Sequence, residues 1–416
     1  AIHGDGGLTK VGTGTLTLSG DNDYTGDTIV EDGTLSIVTD TPWLSDTGAV
    51  KITSGAIMDL AFSSELPKDI VGEMWLNGVQ MYGTFNSITQ PDYFTGIGSL
   101  LAQGYGNYWA PGTSGGQGGT TERWSSAVEK WAMAPGIQGA YMQATTGALI
   151  FTDATGTVYV DGPVTASSGL TFEVDGYNLA AGDDAPVINL TGASAAANTI
   201  TVATDATATI GVDLTSANGM TKAGLGTLVL SGANNTIGGA VDVLTGELTI
   251  AQDAILTVGN QLGPEDRAFE VQGSSTVNVE GTLNVEPGRI VAVIEQGTLV
   301  VTGTVNTEGA WIPVGSGDSA GVARIILEGS GQWNHTTAGN CDFVIGEWGA
   351  LHAELIIRDS AKLTSAFMAM ARWSDTTYGT VIQDGGTVIL NPTTAQYLSW
   401  QEPALGLGAD GQAEYH

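Results

Sequence analysis

The stretch that decides the fold is a glycine followed by four residues that alternate between polar and aliphatic, as in GTLTL at residues 14–18. Successive side chains of a strand point to opposite faces, so Leu16 and Leu18 share one face and the threonines share the other. The phrase therefore predicts a half-buried strand. It recurs along the chain as GTLSI (33–37), GTVYV (156–160), GTLVL (226–230), GELTI (246–250), GTLNV (281–285), GTLVV (297–301) and GTVIL (386–390).

The phrases follow one another at a regular distance. Gly281 and Gly297 lie 16 residues apart, and Gly226 and Gly246 lie 20 residues apart, which is the length of one coil of a β-solenoid. One such strand cannot bury its apolar face alone, but strands stacked coil upon coil form a continuous aliphatic column. Glycine suits the corners because it adopts a positive φ without steric strain. The pattern predicts an all-β protein, a parallel β-helix with few or no long helices.

The composition limits the classes of partner. The 416 residues include 44 acidic and 12 basic side chains, which gives a net charge of −32. We expect no nucleic-acid partner, because binding phosphates requires clustered lysine and arginine. No run approaches the roughly 18 apolar residues of a membrane span, so no membrane insertion is expected. The charge is typical of a solvated surface that resists aggregation, or alternatively of one that collects divalent cations.

The cysteine content and the start of the sequence bear on location. The single cysteine, Cys341, allows no internal disulfide bond, and the chain is compatible with export. No charged-then-apolar signal segment opens the sequence. We therefore expect an exported protein, extracellular or on the cell surface, whose signal has been removed.

Three parts of the chain are predicted from its composition. Residues 1–102 form N-terminal β-helix coils with a hairpin-bearing excursion over 62–101, because Asn77-Gly78 between two apolar runs favours a tight hairpin turn. Residues 103–121 contain seven glycines and predict a flexible connector. The main β-helix block covers 122–416. It opens with ERWSSAVEKWAM, which predicts either a short amphipathic helix or an irregular pair of strands.

The longest internal repeat aligns residues 7–37 with residues 219–250. Lys10 aligns with Lys222 and Asn22 with Asn234, and the second copy is one residue longer before its final strand. The first copy, GLTKVGTGTLTLSGDNDYTGDTIVEDGTLSI, resembles the autotransporter-associated β-strand repeat of large secreted bacterial surface proteins, with its Leu-Thr-Lys opening and Ser-Gly-x-Asn turn. The resemblance implies a right-handed parallel β-helix, exported and either displayed or shed. It implies little about activity.

Residue patterns that could carry catalysis are incomplete. Ser114 and Ser319 lie in Gly-x-Ser-x-Gly matches, but neither shows the strand-to-helix elbow that such a nucleophile needs. Asp183-Asp184 is an adjacent pair in a predicted exposed turn, whereas a hydrolase needs two carboxylates facing each other across a groove. The basic residues are too scattered for a lyase. We expect no enzyme, no catalytic residue and no cofactor, with a polysaccharide lyase or hydrolase as the less favoured alternative.

A calcium site is a further candidate. Asp21, Asp23, Thr25 and Asp32 follow the spacing of a calcium-binding loop, with the glycine turn at its sixth place. The matching stretch at 233–238 keeps the turn but has no carboxylate, so the turn itself does not need calcium. The histidines are too dispersed to indicate a transition-metal site, and His335 and His352 are expected at the surface.

The tryptophans allow two interpretations. Packing of an irregular cap onto the coils is favoured over stacking platforms for sugars, which would predict a carbohydrate-binding or adhesin surface with surface glycans as partners. In that second case Trp109 and Trp124 are the first candidates. The residues concerned crowd into the first third of the chain: Trp43, Trp75, Trp109, Trp124 and Trp131.

The two ends of the sequence predict assembly. A repeat begins almost at the first residue, and GLGADGQAEYH stops where a further strand is expected. Open solenoid ends are templates for adding strands. We therefore expect a structural extracellular protein that forms a surface fibre, stalk or filament by head-to-tail stacking of its subunits, or else a slice of a longer chain.

Overall fold

The computed structural model describes residues 2–20, 22–38, 44–45, 48–61, 69–81, 83–88, 90–102, 107–109, 122–125, 131–132, 148–152, 155–259, 267–309, 311–316, 321–336, 342–348, 352–365, 367–370, 378–390, 405–407 and 412–415. The chain divides into two compact units, of which the first comprises Ala1–Gln117 and Glu129–Ala144. The second comprises Gly118–Val128 and Thr145–His416.

The first unit is made of short strands. They are β1 (Leu8–Lys10), β2 (Thr15–Leu18), β3 (Thr28–Val30), β4 (Thr34–Ile37), β5 (Ala49–Ile52), β6 (Ile57–Leu60), β7 (Asp69–Val71), β8 (Glu73–Leu76), β9 (Val79–Met81), β10 (Gly83–Phe85), β11 (Phe94–Gly96), β12 (Leu100–Ala102), β13 (Asn107–Trp109) and β15 (Trp131–Ala132).

Parallel pairing stacks these strands into coils. β1, β3, β5 and β8 form one parallel ladder, and β2, β4, β6 and β11 form another. The predicted hairpin is confirmed: β8 and β9 pair antiparallel, and Asn77 and Gly78 between them have φ of 49° and 79°. Because β8 also continues the first ladder, the hairpin grows directly out of a coil. β12 pairs in parallel with β7 and antiparallel with β10.

The second unit contains the remaining strands and one 3-10 turn at Ala196–Asn198. They are β14 (Glu122–Trp124), β16 (Leu149–Phe151), β17 (Thr157–Val160), β18 (Pro163–Ala166), β19 (Leu170–Phe172), β20 (Tyr177–Ala181), β21 (Val187–Leu190), β22 (Thr199–Val202), β23 (Thr207–Ile210), β24 (Asp213–Ser216), β25 (Met220–Ala223), β26 (Thr227–Leu230), β27 (Asn234–Ile237), β28 (Val241–Val243), β29 (Glu247–Ile250), β30 (Ile255–Val258), β31 (Arg267–Val271), β32 (Thr276–Val279), β33 (Thr282–Val285), β34 (Ile290–Val293), β35 (Thr298–Val301), β36 (Thr304–Glu308), β37 (Ile312–Ser316), β38 (Val322–Leu327), β39 (Gln332–Thr336), β40 (Asp342–Trp348), β41 (His352–Ser365), β42 (Phe367–Met370), β43 (Tyr378–Leu390), β44 (Leu405–Leu407) and β45 (Gln412–Tyr415).

Each coil of the second unit contributes strands to three parallel ladders. One runs from β16 through every third strand to β40, and on to β42 and β44. The second contains β17, β20, β23 and their successors up to β45. The third contains β18, β21, β24, β27, β30, β33, β36 and β39, and it continues into the C-terminal halves of the long strands β41 and β43. The chain is a right-handed parallel β-helix, as predicted.

The alternation seen in the sequence sets which side chains enter the core. In β26, Leu228 and Leu230 are fully buried. Thr227 and Val229, which alternate with them, face outward and are half-buried. The same pattern in the neighbouring coils aligns Leu228 with Ala208 and Leu248. Burying each aliphatic side chain contributes about 1.5–3 kcal/mol, so the aliphatic columns supply the main stabilisation of the stack.

Three of the five tryptophans in the first third of the chain are used for packing, while Trp75 is half-buried and donates to Glu73, and Trp43 lies outside the described residues. Trp109, Trp124 and Trp131 are fully buried, and Trp109 meets Trp131 edge to face with ring centroids 5.2 Å apart. Trp124 meets Phe151 in the same manner at 6.2 Å. Both ends of the segment predicted as either a helix or a strand pair are strands, β14 and β15. The helix is therefore wrong for the described ends of that segment.

The two repeat copies fold alike, with one correction to their alignment. Asn22 accepts a hydrogen bond from the Ile2 amide and donates to the Gly20 carbonyl. In the second copy these roles belong to Asn235, which accepts from the Leu214 amide and donates to the Gly232 carbonyl. Asn234 is exposed, so the sequence alignment of Asn22 with Asn234 is wrong. The extra residue is absorbed inside the turn, one position before the buried asparagine.

The lysine of each copy lies in the core and ties two coils together at their corner. Lys222 is fully buried, and its Nζ donates to the carbonyls of Ala223, Gly224 and Thr245 at 2.9–3.0 Å. Lys10 repeats the arrangement with the carbonyls of Val11, Gly12 and Asp32. Burial lowers the pKa of Lys222 to about 8, and the carboxylate of Glu247 opposes that shift.

Candidate functional site

A continuous column of hydroxyl and amide side chains covers the outer face of the third ladder in the second unit. The first eight members occupy the third position of their strands, the ninth lies in the C-terminal half of β41, and all lie opposite one another in neighbouring coils. They are Thr165, Asn189, Thr215, Thr236, Thr257, Asn284, Asn306, Asn334 and Thr364. We refer to this set as the Asn/Thr column.

The local sequence explains why these side chains face outward. In β33 (TLNV) and β36 (TVNTE), Leu283 and Val305 are fully buried, and the asparagine that follows each of them is half-buried. The pleat puts residues next to each other in sequence on opposite faces. An apolar residue at the second position therefore fixes a polar residue at the third position on the surface.

Three consecutive asparagines of the column are hydrogen-bonded to each other. The Nδ2 of Asn306 donates to Oδ1 of Asn284 at 2.8 Å, and the Nδ2 of Asn334 donates to Oδ1 of Asn306 at 3.0 Å. A carboxamide has two N–H groups and two acceptor positions on its oxygen. Asn306 in the middle therefore retains one N–H and one acceptor position for water or a ligand, while its orientation is fixed on both sides.

Two grooves flank the strands that carry these asparagines. The first, which we call the ladder groove, has a volume of about 250 Å³ and is lined by Asn284, Asn306 and Asn334 together with Glu286, Pro287 and Glu308. The second, which we call the corner groove, has a volume of about 430 Å³ and lies along Glu280, Thr302, Thr304, Ser330 and Gln332. β33, β36 and β39 thus carry Asn284, Asn306 and Asn334, which we call the polar array, with a groove on either side.

The face around the polar array is rich in acceptors and negatively charged. Glu280 and Glu308 are exposed, and Glu286 is half-buried. The third ladder brings one basic side chain next to them, because Lys362 lies opposite Gln332. Arg289 follows Glu286 in the same turn and donates its amide to the Glu286 carbonyl. In a chain of net charge −32, three carboxylates against these two basic side chains make this face unfavourable for an anion.

One other group of titratable side chains lies on the first ladder. Asp242 is opposite Glu270 in the next coil, and Arg267 Nη1 donates to Glu270 Oε2 at 2.5 Å. Burial raises the pKa of Asp242, and the nearby Glu270 raises it further, while Arg267 opposes both effects. The arginine neutralises Glu270, so the group resembles a structural ion pair more than a pair of facing catalytic acids.

The calcium candidate stays a prediction. Asp21 lies outside the described residues. Asp23 binds Nδ1 of His3 at 2.5 Å, and the Asp32 carboxylate accepts the amide of Gly33 at 2.8 Å. Thr25 donates its amide to the carbonyl of Gly4. Among the described residues no group of three or more histidine, cysteine or acidic side chains is placed to hold a metal ion.

The remaining predicted positions are placed as follows. Asp183 is exposed, as expected for a turn, and accepts a hydrogen bond from Nη1 of Arg123 at 2.8 Å. His335 was expected at the surface, and that expectation is wrong: it is 1% exposed, and its Nδ1 shares a 2.8 Å hydrogen bond with the hydroxyl of Thr307. Trp109 and Trp124 are buried and therefore offer no face to a sugar. Ser114, Ser319 and Cys341 lie outside the described residues.

Sequence reasoning missed the polar array and the two buried lysines, Lys10 and Lys222, that link neighbouring coils. A signal for the array was present, since Asn284, Asn306 and Asn334 each stand at the third position after a glycine, in GTLN, GTVN and GQWN. Their separations of 22 and 28 residues each equal one coil. Two of these three strands fall outside the phrase that the sequence emphasised, so the column was not visible without the coil register.

The comparisons with known proteins agree with this fold. Residues 8–37 and 220–250 match the Passenger-associated-transport-repeat family. The chain is also similar to the adhesin BmaC autotransporter of Brucella suis biovar 1 (strain 1330), with 31% identity over 233 residues. That match covers 52% of this chain and 6% of the adhesin. No solved structure matches the chain significantly.

The family match falls on the residues from which the resemblance was inferred. The two copies of the internal repeat are the two segments that the family matches, and their predicted resemblance is thereby confirmed. The chain therefore contains two passenger-associated transport repeats, and it is similar to an autotransporter adhesin over part of its length. Within the described residues, the structure has no helix both long and apolar enough to cross a membrane.

Proposed function

We propose that this chain is an adhesive segment of an extracellular or surface-displayed protein. The coils form a scaffold, and the outward side chains of the third ladder form the contact surface. The single observation that carries the proposal is the Asn/Thr column, which continues without an apolar interruption from Thr165 to Thr364. The similarity to an autotransporter adhesin supports the same function.

The column offers a partner a regular row of polar groups. Each coil presents one hydroxyl or carboxamide at a repeat of about 4.8 Å, and the backbone ladder beneath holds these groups in place. Ordered polar groups lose little conformational entropy on binding. A surface of this kind forms many weak hydrogen bonds at once, and surface glycans are the partners we propose for it.

Attachment of the isolated protein tests this proposal. Inert beads coated with the 416-residue chain are expected to attach to cultured host cells or to extracellular matrix. Beads coated with an unrelated acidic protein of similar net charge serve as the control. Attachment no higher than that of the control on every surface would contradict the adhesive function.

We also propose that the protein acts by binding and not by catalysis. The Asp242 and Glu270 pair is the closest approach to an acid–base arrangement among the described residues, and Arg267 neutralises one of its members. Incubation with acidic and neutral polysaccharides is expected to release no reducing ends and no unsaturated products. Release that disappears in Asp242→Asn would identify a hydrolase or lyase and overturn this proposal.

We propose head-to-tail stacking as a second function, and the regular pairing of the coils supports it. In the three ladders of the second unit each coil pairs with the next in parallel. A coil of another copy could continue the same pairing through its backbone groups. Electron microscopy at rising protein concentration, with and without calcium, is expected to show filaments that lengthen. Short particles of one size under every condition would rule out stacking of this chain.

A further inference from the structure

We propose that the ladder groove and the adjoining polar array of β33, β36 and β39 bind a neutral oligosaccharide. The inference rests on the adhesive function proposed above and specifies its ligand. The oligosaccharide lies along the direction in which the coils stack, and Asn284, Asn306 and Asn334 contact it in turn.

The asparagine ladder supplies the pattern of donors and acceptors that a sugar needs. Each sugar hydroxyl both donates and accepts, so its best partner is a side chain that does the same. Asn306 retains one N–H and one acceptor position after its two ladder bonds. Because both neighbours hold the amide, it meets the ligand without first losing rotational freedom.

The spacing of the array fits a chain of sugar rings. Neighbouring coils lie about 4.8 Å apart, and alternate residues along one strand lie about 6.6 Å apart. The first distance is close to the length of one pyranose ring. A sugar chain that runs across the coils therefore brings about one ring to each asparagine. Exposed Pro287 in the same groove offers apolar surface to the C–H groups of the ring.

The charges select against anionic glycans. Glu286 and Glu308 border the ladder groove, and Glu280 borders the corner groove. Their oxygens accept hydrogen bonds from sugar hydroxyls, but they repel a uronate or a sialic acid. Two basic side chains lie nearby, Lys362 opposite Gln332 and Arg289 in the turn after Glu286, so the carboxylates outnumber them. The favoured ligand is therefore uncharged.

The same composition argues against a protein partner. Hot spots of protein interfaces are enriched in tryptophan, tyrosine and arginine that enter desolvated pockets. The ladder groove is lined by asparagine, threonine and glutamate, with Val285 and Pro287 as its apolar residues. This surface therefore offers mainly hydrogen-bonding groups, and its groove lining contains no aromatic anchor.

The decisive experiment compares Asn306→Val with Asn178→Val. Both substitutions replace a half-buried outward asparagine of a strand, but Asn306 lies in the ladder groove, whereas Asn178 lies in β20 of the second ladder, outside the Asn/Thr column and both grooves. Saturation-transfer NMR and calorimetry would use neutral cello-, manno- and galacto-oligosaccharides of four to six sugars (about one ring per coil). We expect measurable binding to at least one neutral series, weakened at least tenfold in Asn306→Val and unchanged in Asn178→Val.

Exposed Glu308 gives a second variant that does not disturb the ladder. Glu308→Gln removes a charge at the end of β36, and we expect it to keep neutral binding within about threefold. It should also increase the binding of an oligogalacturonate of matched length several-fold. Binding of the anionic probe to the unmodified protein as tight as that of the neutral one would overturn the charge argument.

Parallel bead-attachment assays separate this inference from the proposed function. If the protein attaches to cells and Asn306→Val attaches equally well, the adhesive function stands and the ladder groove is not its site. If neutral oligosaccharides bind through Asn306 but no cell or matrix is bound, the groove stands and the adhesive function fails. Absence of binding to every neutral oligosaccharide would overturn the inference.

Discussion

The two copies of the internal repeat contain the same motif in two different environments. In the first copy, β1 and β2 have a described neighbour on one side only, whereas β25 and β26 of the second copy lie between coils on both sides. Leu228 and Leu230 are accordingly fully buried, while the equivalent Leu16 is half-buried and Leu18 is 7% exposed. The residues that define a solenoid coil stabilise it in proportion to the neighbouring coils that cover them.

The largest expected effect of this difference concerns an aspartate placed in the aliphatic column. Leu228→Asp buries a charge without a partner, so we expect it to lower the free energy of unfolding of the second unit by more than about 4 kcal/mol. Leu16→Asp should have less than half of that effect. Hydrogen exchange followed by mass spectrometry reports each coil separately. Thr227→Asp on the outer face is the matched control, and a loss as large there would show that burial does not decide the outcome.

A corner glycine should give the next largest difference. A Cβ on Gly226 would overlap the carbonyl oxygens of Ala203 and Ala206 in the preceding coil, whereas a Cβ on Gly14 would have no described atom within 4 Å. We expect Gly226→Ala to destabilise the second unit by about 3 kcal/mol, because the backbone must shift. Gly14→Ala should change stability by less than about 0.5 kcal/mol. Thermal unfolding of the two variants would test this, and equal losses would contradict the role of the neighbouring coil.

Lys222, the buried lysine of the second copy, predicts that the stability of the protein depends on pH. The pKa of Lys222 is about 8 in the folded protein and near its ordinary 10.5 when unfolded, so the unfolded state binds more protons between these values. Stability should therefore rise with pH across this window, by up to about 3 kcal/mol. Urea unfolding from pH 7.5 to 9.5 covers its lower part. Lys222→Met should remove the rise, and a wild-type stability that falls over this range would refute the argument.

The smallest expected effect concerns the turn in which the copies diverge. In the first copy the hydroxyl of Tyr24 is hydrogen-bonded to Thr28 at 2.7 Å, and both residues are buried. The second copy places the apolar Ile237 and Val241 there. Tyr24→Phe should cost about 1 kcal/mol by leaving the Thr28 hydroxyl with one partner fewer. The double variant Tyr24→Phe/Thr28→Val should recover most of that loss in thermal unfolding, and a further loss would show that packing and not hydrogen bonding decides this turn.

These comparisons show what the sequence could predict. Alternation and corner glycines are local signals, so the parallel β-helix and the hairpin at Asn77-Gly78 followed from them directly. Lys222 and His335 contradict the local expectation that a polar residue faces water. Each has a partner in a neighbouring coil, the Thr245 carbonyl for Lys222 and the Thr307 hydroxyl for His335, which only the coil register reveals. The turn of the second copy could not be aligned by sequence either, because Asn234 and Asn235 are chemically identical and only one is buried.

The polar array depended on the same missing information. Asn306 looks like an ordinary solvated strand residue until its neighbours Asn284 and Asn334 are known. The coil lengths between them differ, at 22 and 28 residues, so a search at one fixed period does not align all three. A ladder of identical side chains is a property of stacked coils and is visible only after the coils have been stacked.

The hydrogen bonds of the asparagine ladder all point the same way along the stack. Asn334 donates to Asn306, which donates to Asn284, and in an earlier coil pair Thr215 donates to Asn189 in the same sense. The ladder therefore has a direction along the stack. Asn284 at one end has a free amide donor, and Asn334 at the other end has a free amide acceptor. A sugar chain has its own direction, from the non-reducing to the reducing end. A sugar chain that lies along the ladder would bind in one orientation and would bind poorly when reversed.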